Sequence, residues 1–533
     1  MNAVFSNLGD LIERSRSAAD LEKPAIIDLS RGLQGRSVSY RELDDMAARV
    51  AGWLSGRGYA RGDRIAVLAA NCVEFLACFH GILRAGLVAV PVNFKFPPST
   101  IEYVLRDSGA RMVFCDAARR DAVPADLPVV CFDAEANHAA SGAASKSASS
   151  AASSAASNAA LPALPQLLAS TAAGFASVVP AAGETAMYLY TSGSTGKPKG
   201  VVLSHQSHLW VAQTRLAGKD WSSQRLLVAA PLYHMNALAL AQFASLAHAT
   251  VVLLPQFNAR SYIEAIAIHR CTWLTSVPPM MAMMMRETDL MQATDFSCVQ
   301  FIRMGSAPVT QSLIDQLRAY FPKASILNGY GTTEAGPVVF GPHPKGVAQP
   351  ELSVGYPHPQ VSLRIQGGGD EGVLEMKSPA NMDGYHNLPE LTRKVMTADG
   401  YYVTGDVFRR DADGFHYFVG RTDDMFVSGA ENLYPGEIEK MLERHAAVEQ
   451  ACVVPVPDDI KGTKPVAFIV LKAGAGATEQ QIKDHALAHA PAYAHPRRVW
   501  FVREMPLSGT NKIERKTTLQ MALDRLAVEG PLA

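Results

Sequence analysis

The chain has 533 residues, 48% of them hydrophobic and 19% charged, with a formal net charge of −1. A length beyond the roughly 250–300 residues that one core serves requires at least two domains. Acids balance bases and no basic run or aromatic–basic stripe occurs, which argues against a nucleic-acid partner and for small molecules.

The N-terminal stretch MNAVFSNLGDLIERS carries acids early and lacks the apolar core of a secretory signal. Seven scattered cysteines without a CxxC pair suit a reducing compartment, so a cytoplasmic location is expected. From Tyr40 to Gly58, Leu43, Met46, Ala47, Val50, Trp53 and Leu54 recur at the 3.6-residue period, which predicts an amphipathic helix ended by Gly56 and Gly58. A strand at 65–68, a helix marked by Phe75, Phe79 and Leu83, a strand at 87–92, another helix and a buried strand at 112–115 follow. Such alternation predicts a mainly parallel α/β sheet. Residues 136–160 are nearly all Ala and Ser, with no large apolar side chain to offset the entropy of ordering, so a disordered surface insertion without chemistry is expected. The apolar stretch from Ala237 to Leu254 contains Gln242, Ser245, His248 and Thr250, which a lipid core would not satisfy; it predicts a buried helix and strand rather than a membrane span. Near residue 421 the pattern changes, after a strand-like Phe415–Val419, to a compact αβ run with apolar segments at 452–456 and 466–471. This places a domain boundary between 1–421 and 422–533.

The densest chemical signal is TSGSTGKPKG at 191–200, entered from a strand at 187–190. It packs three glycines, four hydroxyl residues and two lysines into ten positions. Glycines let backbone N–H groups turn toward an anion, while hydroxyls and lysines add donors and charge. A glycine-rich surface turn has the same composition, so this segment alone leaves both readings open. It is not a Walker A loop, because Pro198 stands where a magnesium-binding Ser or Thr would be and the glycine spacing is too short.

The segment closely resembles the phosphate loop of the adenylate-forming superfamily, which comprises acyl-CoA synthetases, carrier-protein adenylation domains and luciferases. Further motifs follow in that superfamily's order: PLYHMNAL (231–238), GSAP (305–308), NGYGTTEAG (328–336), DGYYVTGD (399–406), GRTDDM (420–425), VSGAENLYPGEIE (427–439) and LSGTNKIERK (507–516). The likeness spans almost the whole chain outside the Ala/Ser run. It implies an α/β fold: a large N-terminal domain of α/β layers with mostly parallel sheets and a β-barrel-like part, and a small, mobile α+β C-terminal domain.

The resemblance also implies roles. Thr191, Ser192, Gly193, Ser194, Thr195 and Gly196 with Lys199 would cradle the β- and γ-phosphates of ATP, Thr332 would touch the α-phosphate, and Glu334 would hold Mg2+. Ser306 and Ala307 would flank the adenine, with Asn328 and Gly329 at its edge and Tyr330 against its face, and Gly331 would belong to the same nucleotide site. Asp406 would accept from both ribose hydroxyls, and Arg421 would reach ribose or phosphate. Lys512 would be the catalytic lysine that bridges carboxylate and α-phosphate; the superfamily usually has Gly before it, whereas Asn511 stands here, a residue that tolerates left-handed backbone. His234 would move between the acyl pocket and the exit path. Asp423 would be the hinge, and Ser428 and Gly429 would line the channel for coenzyme A. His234, Met304, Gly305 and Val338 would line the acyl pocket.

These assignments predict an ATP-dependent acyl-CoA synthetase acting through an acyl-adenylate, with a stand-alone enzyme loading an acyl carrier protein as the alternative. The motifs likewise fit an oxidative luciferase; a silent AMP-binding relative would lack the lysine, magnesium or ribose residues, all of which are present. Trp273, the Met280–Met285 run, Met304, Val338 and Val339 are apolar and adaptable, which suggests an aromatic or medium-chain acid, although the methionines fit ordinary core packing equally well. Either a monomer or a homodimer is compatible with the sequence.

Overall fold

The computed structural model describes residues 5–133, 161–191, 197–307, 309–428, 431–458, 462–491, 493–509 and 511–530, and the side chain of Asn432 is not described. The Ala/Ser run and residues 192–196 lie outside these. The chain divides into two compact units: residues 1–275, 332–338 and 378–396 form the first, and 276–331, 339–377 and 397–533 the second.

In the first unit a seven-stranded sheet runs in the order Gly384–Tyr385, Lys199–Ser204, Thr185–Thr191, Val88–Pro91, Arg64–Leu68, Ala110–Cys115, Val129–Cys131. The five strands from Thr185–Thr191 onward are parallel, and the first two pair antiparallel at the edge. Val88–Pro91 and Val129–Cys131 are buried at every position, as expected of strands covered on both faces. A second set orders Arg225–Val228, Thr250–Leu253 and Pro24–Asp28 in parallel, with Arg36–Ser39 antiparallel on Pro24–Asp28. The predicted helix is Tyr40–Ser55; Ser39 and Glu42 close a capping box at its start, and its buried stripe includes Leu43, Ala47, Val50 and Leu54. The next predicted helix is Val73–Arg84, nearly all of it buried. The apolar stretch after residue 234 resolves as the buried helix Met235–Ala247 and the strand Thr250–Leu253. Among the described residues no helix is long and apolar enough to cross a membrane.

In the second unit Phe301–Gly305 and Ser325–Gly329 pair in parallel, and Ser362–Ile365, Glu371–Lys377, Tyr402–Arg410 and His416–Arg421 form an antiparallel sheet. Toward the C-terminus Gly462–Leu471 pairs antiparallel with Val448–Asp458 and parallel with Val499–Phe501. The helices Pro435–Leu442 and Arg515–Glu529 pack on Val448–Asp458. Met280, Met281, Met284 and Met285 of the helix Pro278–Met285 are buried, whereas Met283 is 37% exposed. Packing therefore accounts for four of the five methionines.

Candidate active site

The phosphate-loop segment connects two antiparallel strands. Thr191, the last residue of one, pairs with Lys199, the first of the next. The sequence shows the entering strand but not the return, and this hairpin separates the segment further from a Walker loop, which opens a helix. Ser192 to Gly196 lie outside the described residues.

Lys199 donates to the Tyr385 hydroxyl at 3.4 Å, its ammonium 4.4 Å from the ring centroid, and Tyr385 donates to Glu334 Oε1 at 2.8 Å. A phenol thus joins the expected phosphate-binding cation to the expected metal-binding carboxylate. Glu334 is buried, so an unpartnered charge there would be costly; the charge-assisted bond from Tyr385 offsets part of that cost. Sequence reasoning missed Tyr385. Its position in strand Gly384–Tyr385 beside Lys199–Ser204 depends on a pairing formed across about a third of the chain. Thr332 is fixed by a tight loop: its hydroxyl accepts from the Ala335 N–H at 3.0 Å, and its carbonyl accepts from the Gly336 N–H at 2.9 Å. His234 precedes the helix Met235–Ala247, is half-buried, and meets the Tyr233 ring edge-on at 4.5 Å. Val338 packs with Val211, Ala239 and Ala380. Trp273 packs against Trp221 and Phe243, which ties it to the core.

The second unit gathers another set. Asp406 is 5% exposed and pairs across the sheet with Arg421, whose Nη1 donates to its Oδ1 at 2.8 Å; Tyr330 Oη donates to its Oδ2 at 2.5 Å. The Asp406 N–H donates to Thr404 Oγ1 at 3.0 Å, fixing the backbone. A carboxylate offers about four lone-pair sites, enough to accept from several donors at once. Burial, then the charge of Asp406, pushes the Tyr330 phenol well above its usual pKa, keeping it a donor. Its ring packs edge-on against Phe408 at 4.7 Å.

Lys512 lies on a turn closed by Ser508 N–H to Lys512 O at 2.7 Å and Asn511 N–H to Ser508 O at 2.9 Å, with Asn511 left-handed at φ 58°. Although the residue as a whole is exposed, its surroundings desolvate the ammonium and lower its pKa; the Asp406 charge opposes this and Arg421 reinforces it. Lys512 is therefore within electrostatic reach of Asp406, more than a hundred residues earlier. Three residues on, Arg515 is anchored bidentately to the buried Glu439 at 2.5 and 2.7 Å and to the Val453 carbonyl at 2.9 Å.

Gly305 and Gly329 face each other in the parallel pair; a Cβ on Gly305 would stand 2.8 Å from the Gly329 oxygen. Met304 beside them is buried. Ser306 is left-handed at φ 66°, and Asn328 donates to the Leu352 carbonyl at 3.2 Å. Asp423 is exposed and accepts from Arg421 at 3.2 Å, while Ser428 is buried at a strand end. Gly429 lies outside the described residues.

The fold and these polar sets define a nucleotide-dependent ligase. Residues 13–386 match the family described as AMP-binding enzyme, and residues 437–512 the AMP-binding enzyme C-terminal domain. The chain belongs to this family, the adenylate-forming superfamily its motifs resemble, and it is an ATP-dependent acid–thiol ligase of the AMP-forming acyl-CoA synthetase type. It is 29% identical to a sulfoacetate–CoA ligase of Cupriavidus necator over 97% of this chain and 98% of the relative. It is 30% identical to a feruloyl-CoA synthase of Amycolatopsis over 90% and 93%. Among solved structures it resembles ATP-bound MatB from Rhodopseudomonas palustris with a TM-score of 0.83 and 26% identity, covering 98% of this chain and all of that one.

Proposed function

We propose that the enzyme joins an aromatic or medium-chain carboxylic acid to coenzyme A, with Asp406 and Arg421 holding the ribose of ATP and Lys512 serving the α-phosphate. The observation that carries this reading is the geometry at the buried Asp406, where Arg421 Nη1 donates to one carboxylate oxygen and Tyr330 Oη to the other; the Asp406 charge also acts on the Lys512 ammonium. A mobile ammonium brought to the α-phosphate would stabilise the charge that gathers as a carboxylate attacks the α-phosphorus. Tyr330 would cover the adenine, with Asn328, Gly329, Gly331, Ser306 and Ala307 around it. The Thr191–Gly196 segment and Lys199 would take the β- and γ-phosphates, and Thr332 the α-phosphate.

Glu334 suits Mg2+: it is a hard oxygen donor, and its Oε2 has no partner among the described residues. Mg2+ is commonly held by one or two carboxylates together with substrate phosphates, which one carboxylate such as Glu334 would serve. When bound, the ion would neutralise phosphate charge. His234, Met304, Gly305 and Val338 would contact the acyl group, Ser428 and Gly429 the thiol substrate, and Asp423 would be the pivot between residues 1–421 and 422–533. The CoA-ligase relatives favour coenzyme A over a carrier protein as acceptor.

The Lys512→Ala variant tests the assignment. Pyrophosphate release from acid and ATP should fall by about 10²–10³-fold or more, the range seen when a transition-state electrostatic donor is removed. Thiolysis of supplied acyl-adenylate should stay within a few-fold of wild type. Equal loss in both half-reactions would remove this role for Lys512.

A further inference from the structure

The strands Phe301–Gly305 and Ser325–Gly329 of the second unit run side by side, with Arg303 opposite Leu327 and Gly305 opposite Gly329. Residues two apart in a strand, and register partners in neighbouring strands, lie on the same face of a sheet. One face therefore carries Ile302 and Met304, both 0% exposed in the core. The other carries Arg303, Gly305, Leu327 and Gly329, and it is open: Leu327 is 38% exposed, and Arg303 and Gly329 are half-buried. Met304 and Gly305, both expected at the acyl pocket, thus lie on opposite faces, and the residue that shares the open face with Gly305 is Arg303.

The two glycines leave that face bare at the C-terminal ends of the parallel pair, which is where open parallel sheets bind their ligands. Neither has a left-handed backbone, so conformation does not call for glycine there. Space does at 329: a Cβ on Gly329 would stand 3.1 Å from Arg303 Nε and 3.4 Å from its Nη2. The guanidinium therefore leans toward the strand ends, beside the place that a side chain at 329 would take. Burial of the guanidinium lowers the Arg303 pKa, although the residue keeps accessible surface. Partial access to a desolvated head group is what a concave wall gives; a convex surface would leave the cation hydrated, and a core would close it off. The group stays charged, because arginine is not deprotonated in proteins. Stripped of part of its water, it attracts an anion more strongly than a hydrated cation does, and its planar fork matches two oxygens of one anionic group.

We propose that Arg303 sets the specificity of the acid site by recognising a second anionic group, at the end of the acid remote from the carboxylate that is activated. This rests on the acid–CoA ligase reading and narrows its substrate class to aromatic or medium-chain acids that carry two anionic groups. Leu327, opposite Arg303 on the same face, would offer an apolar surface to the carbon skeleton between them.

The test compares kcat/KM for matched acids at saturating ATP and coenzyme A: octanedioic against octanoic, and terephthalic against benzoic. The wild type should prefer the diacid of at least one pair by about 10- to 150-fold, the range that a hydrogen bond to a charged group provides. Arg303→Gln should bring that ratio to within about threefold of unity, through a raised KM for the diacid. Arg303→Lys keeps the charge without the fork and should give an intermediate ratio. A guanidinium that only braced the strands would lower activity toward both members of a pair alike and leave the ratio where it was. Because Gly329 is also assigned to the adenine edge, the KM for ATP is measured alongside. Equal use of both members or preference for the monoacid by the wild type, an unchanged ratio in Arg303→Gln, or a loss confined to the KM for ATP overturns the proposal. If Arg303→Gln does not fold, Arg303→Lys decides: a diacid preference reduced at least threefold supports the proposal, and an unchanged one overturns it. If no acid in the panel yields AMP with coenzyme A, the proposed acid class fails and this inference with it; monoacids turned over as readily as their diacids sink the inference alone.

Discussion

The surroundings of Asp406 and those of Gln242 manage buried polarity in opposite ways. Around Asp406 each carboxylate oxygen already has a donor, Tyr330 on one side and Arg421 on the other, and the backbone is pinned by Thr404. Between the helices His205–Leu216 and Met235–Ala247, the polar atoms of Gln242 and His208 Nε2 have no partner among the described residues. A satisfied cluster is preorganised and serves the part of the substrate that never changes; an unsatisfied one stores a cost that a matching ligand relieves. In the proposed reading the first holds the nucleotide.

The largest expected break comes from removing the centre of the satisfied cluster. Asp406→Ala strips Tyr330 and Arg421 of their shared acceptor, and kcat/KM for ATP in adenylate formation should fall by about 10²-fold or more, as for loss of a preorganised charge-assisted contact. Nucleotide titration of the variant should show the loss as weaker binding. Unaltered ATP affinity would mean that Asp406 only ties strands together.

Tyr385→Phe probes the phenol between Lys199 and Glu334. Losing a hydrogen bond to a buried carboxylate typically costs about 1.5–3 kcal/mol, so kcat/KM for ATP should drop by about 10- to 150-fold. A steeper dependence on magnesium concentration should accompany it, whereas an unshifted magnesium profile would leave Tyr385 a packing residue.

The unsatisfied interior should reveal itself through pH. His80 and His208 are held down to about 3, and His205 and His248 to about 4, in each case by burial first. In the unfolded chain these rings bind a proton near pH 6.5, while in the folded chain they remain neutral until pH falls to 3 or 4. Unfolding therefore takes up protons as pH drops below about 6.5. The stability contributed by the neutral rings is complete above that value and is lost progressively toward pH 4, at up to about 1.4 kcal/mol per pH unit for each ring. Denaturant midpoints measured from pH 7.5 to 4.5 should fall, and His80→Phe should flatten the slope if the protein stays folded. A flat profile in the wild type would show that the rings are hydrated or protonated in the native state.

The smallest effect is expected where composition provides neither cluster. Deleting residues 139–156, almost all Ala and Ser, should leave turnover within about twofold, because the segment has nothing to bury and no chemistry to lose. A collapse in activity would give that run a function.

Much of this was legible from the residues. The helix Tyr40–Ser55 and the strands of the parallel sheet follow from periodicity, since each buries a face set by its own residues. The motifs were legible as an ordered set because each is short and contiguous. What stayed hidden was tertiary. Tyr385 sits 186 residues after Lys199 and 51 after Glu334, and nothing local marks it as their link. Gln242 reads in the sequence only as a polar residue unsuited to a membrane; its lack of partners exists only once the helices are packed. The methionine run fitted a pocket and a core equally well until the helix Pro278–Met285 buried four of them.

The central claim is that the acid's own carboxylate oxygen attacks the α-phosphorus of ATP, and following a heavy-oxygen label from the carboxylate tests it most directly. With a doubly labelled acid, ATP and coenzyme A, the account predicts one labelled oxygen in the AMP released and none in the pyrophosphate. Label appearing in inorganic phosphate alongside ADP, with unlabelled adenine nucleotide, would contradict it.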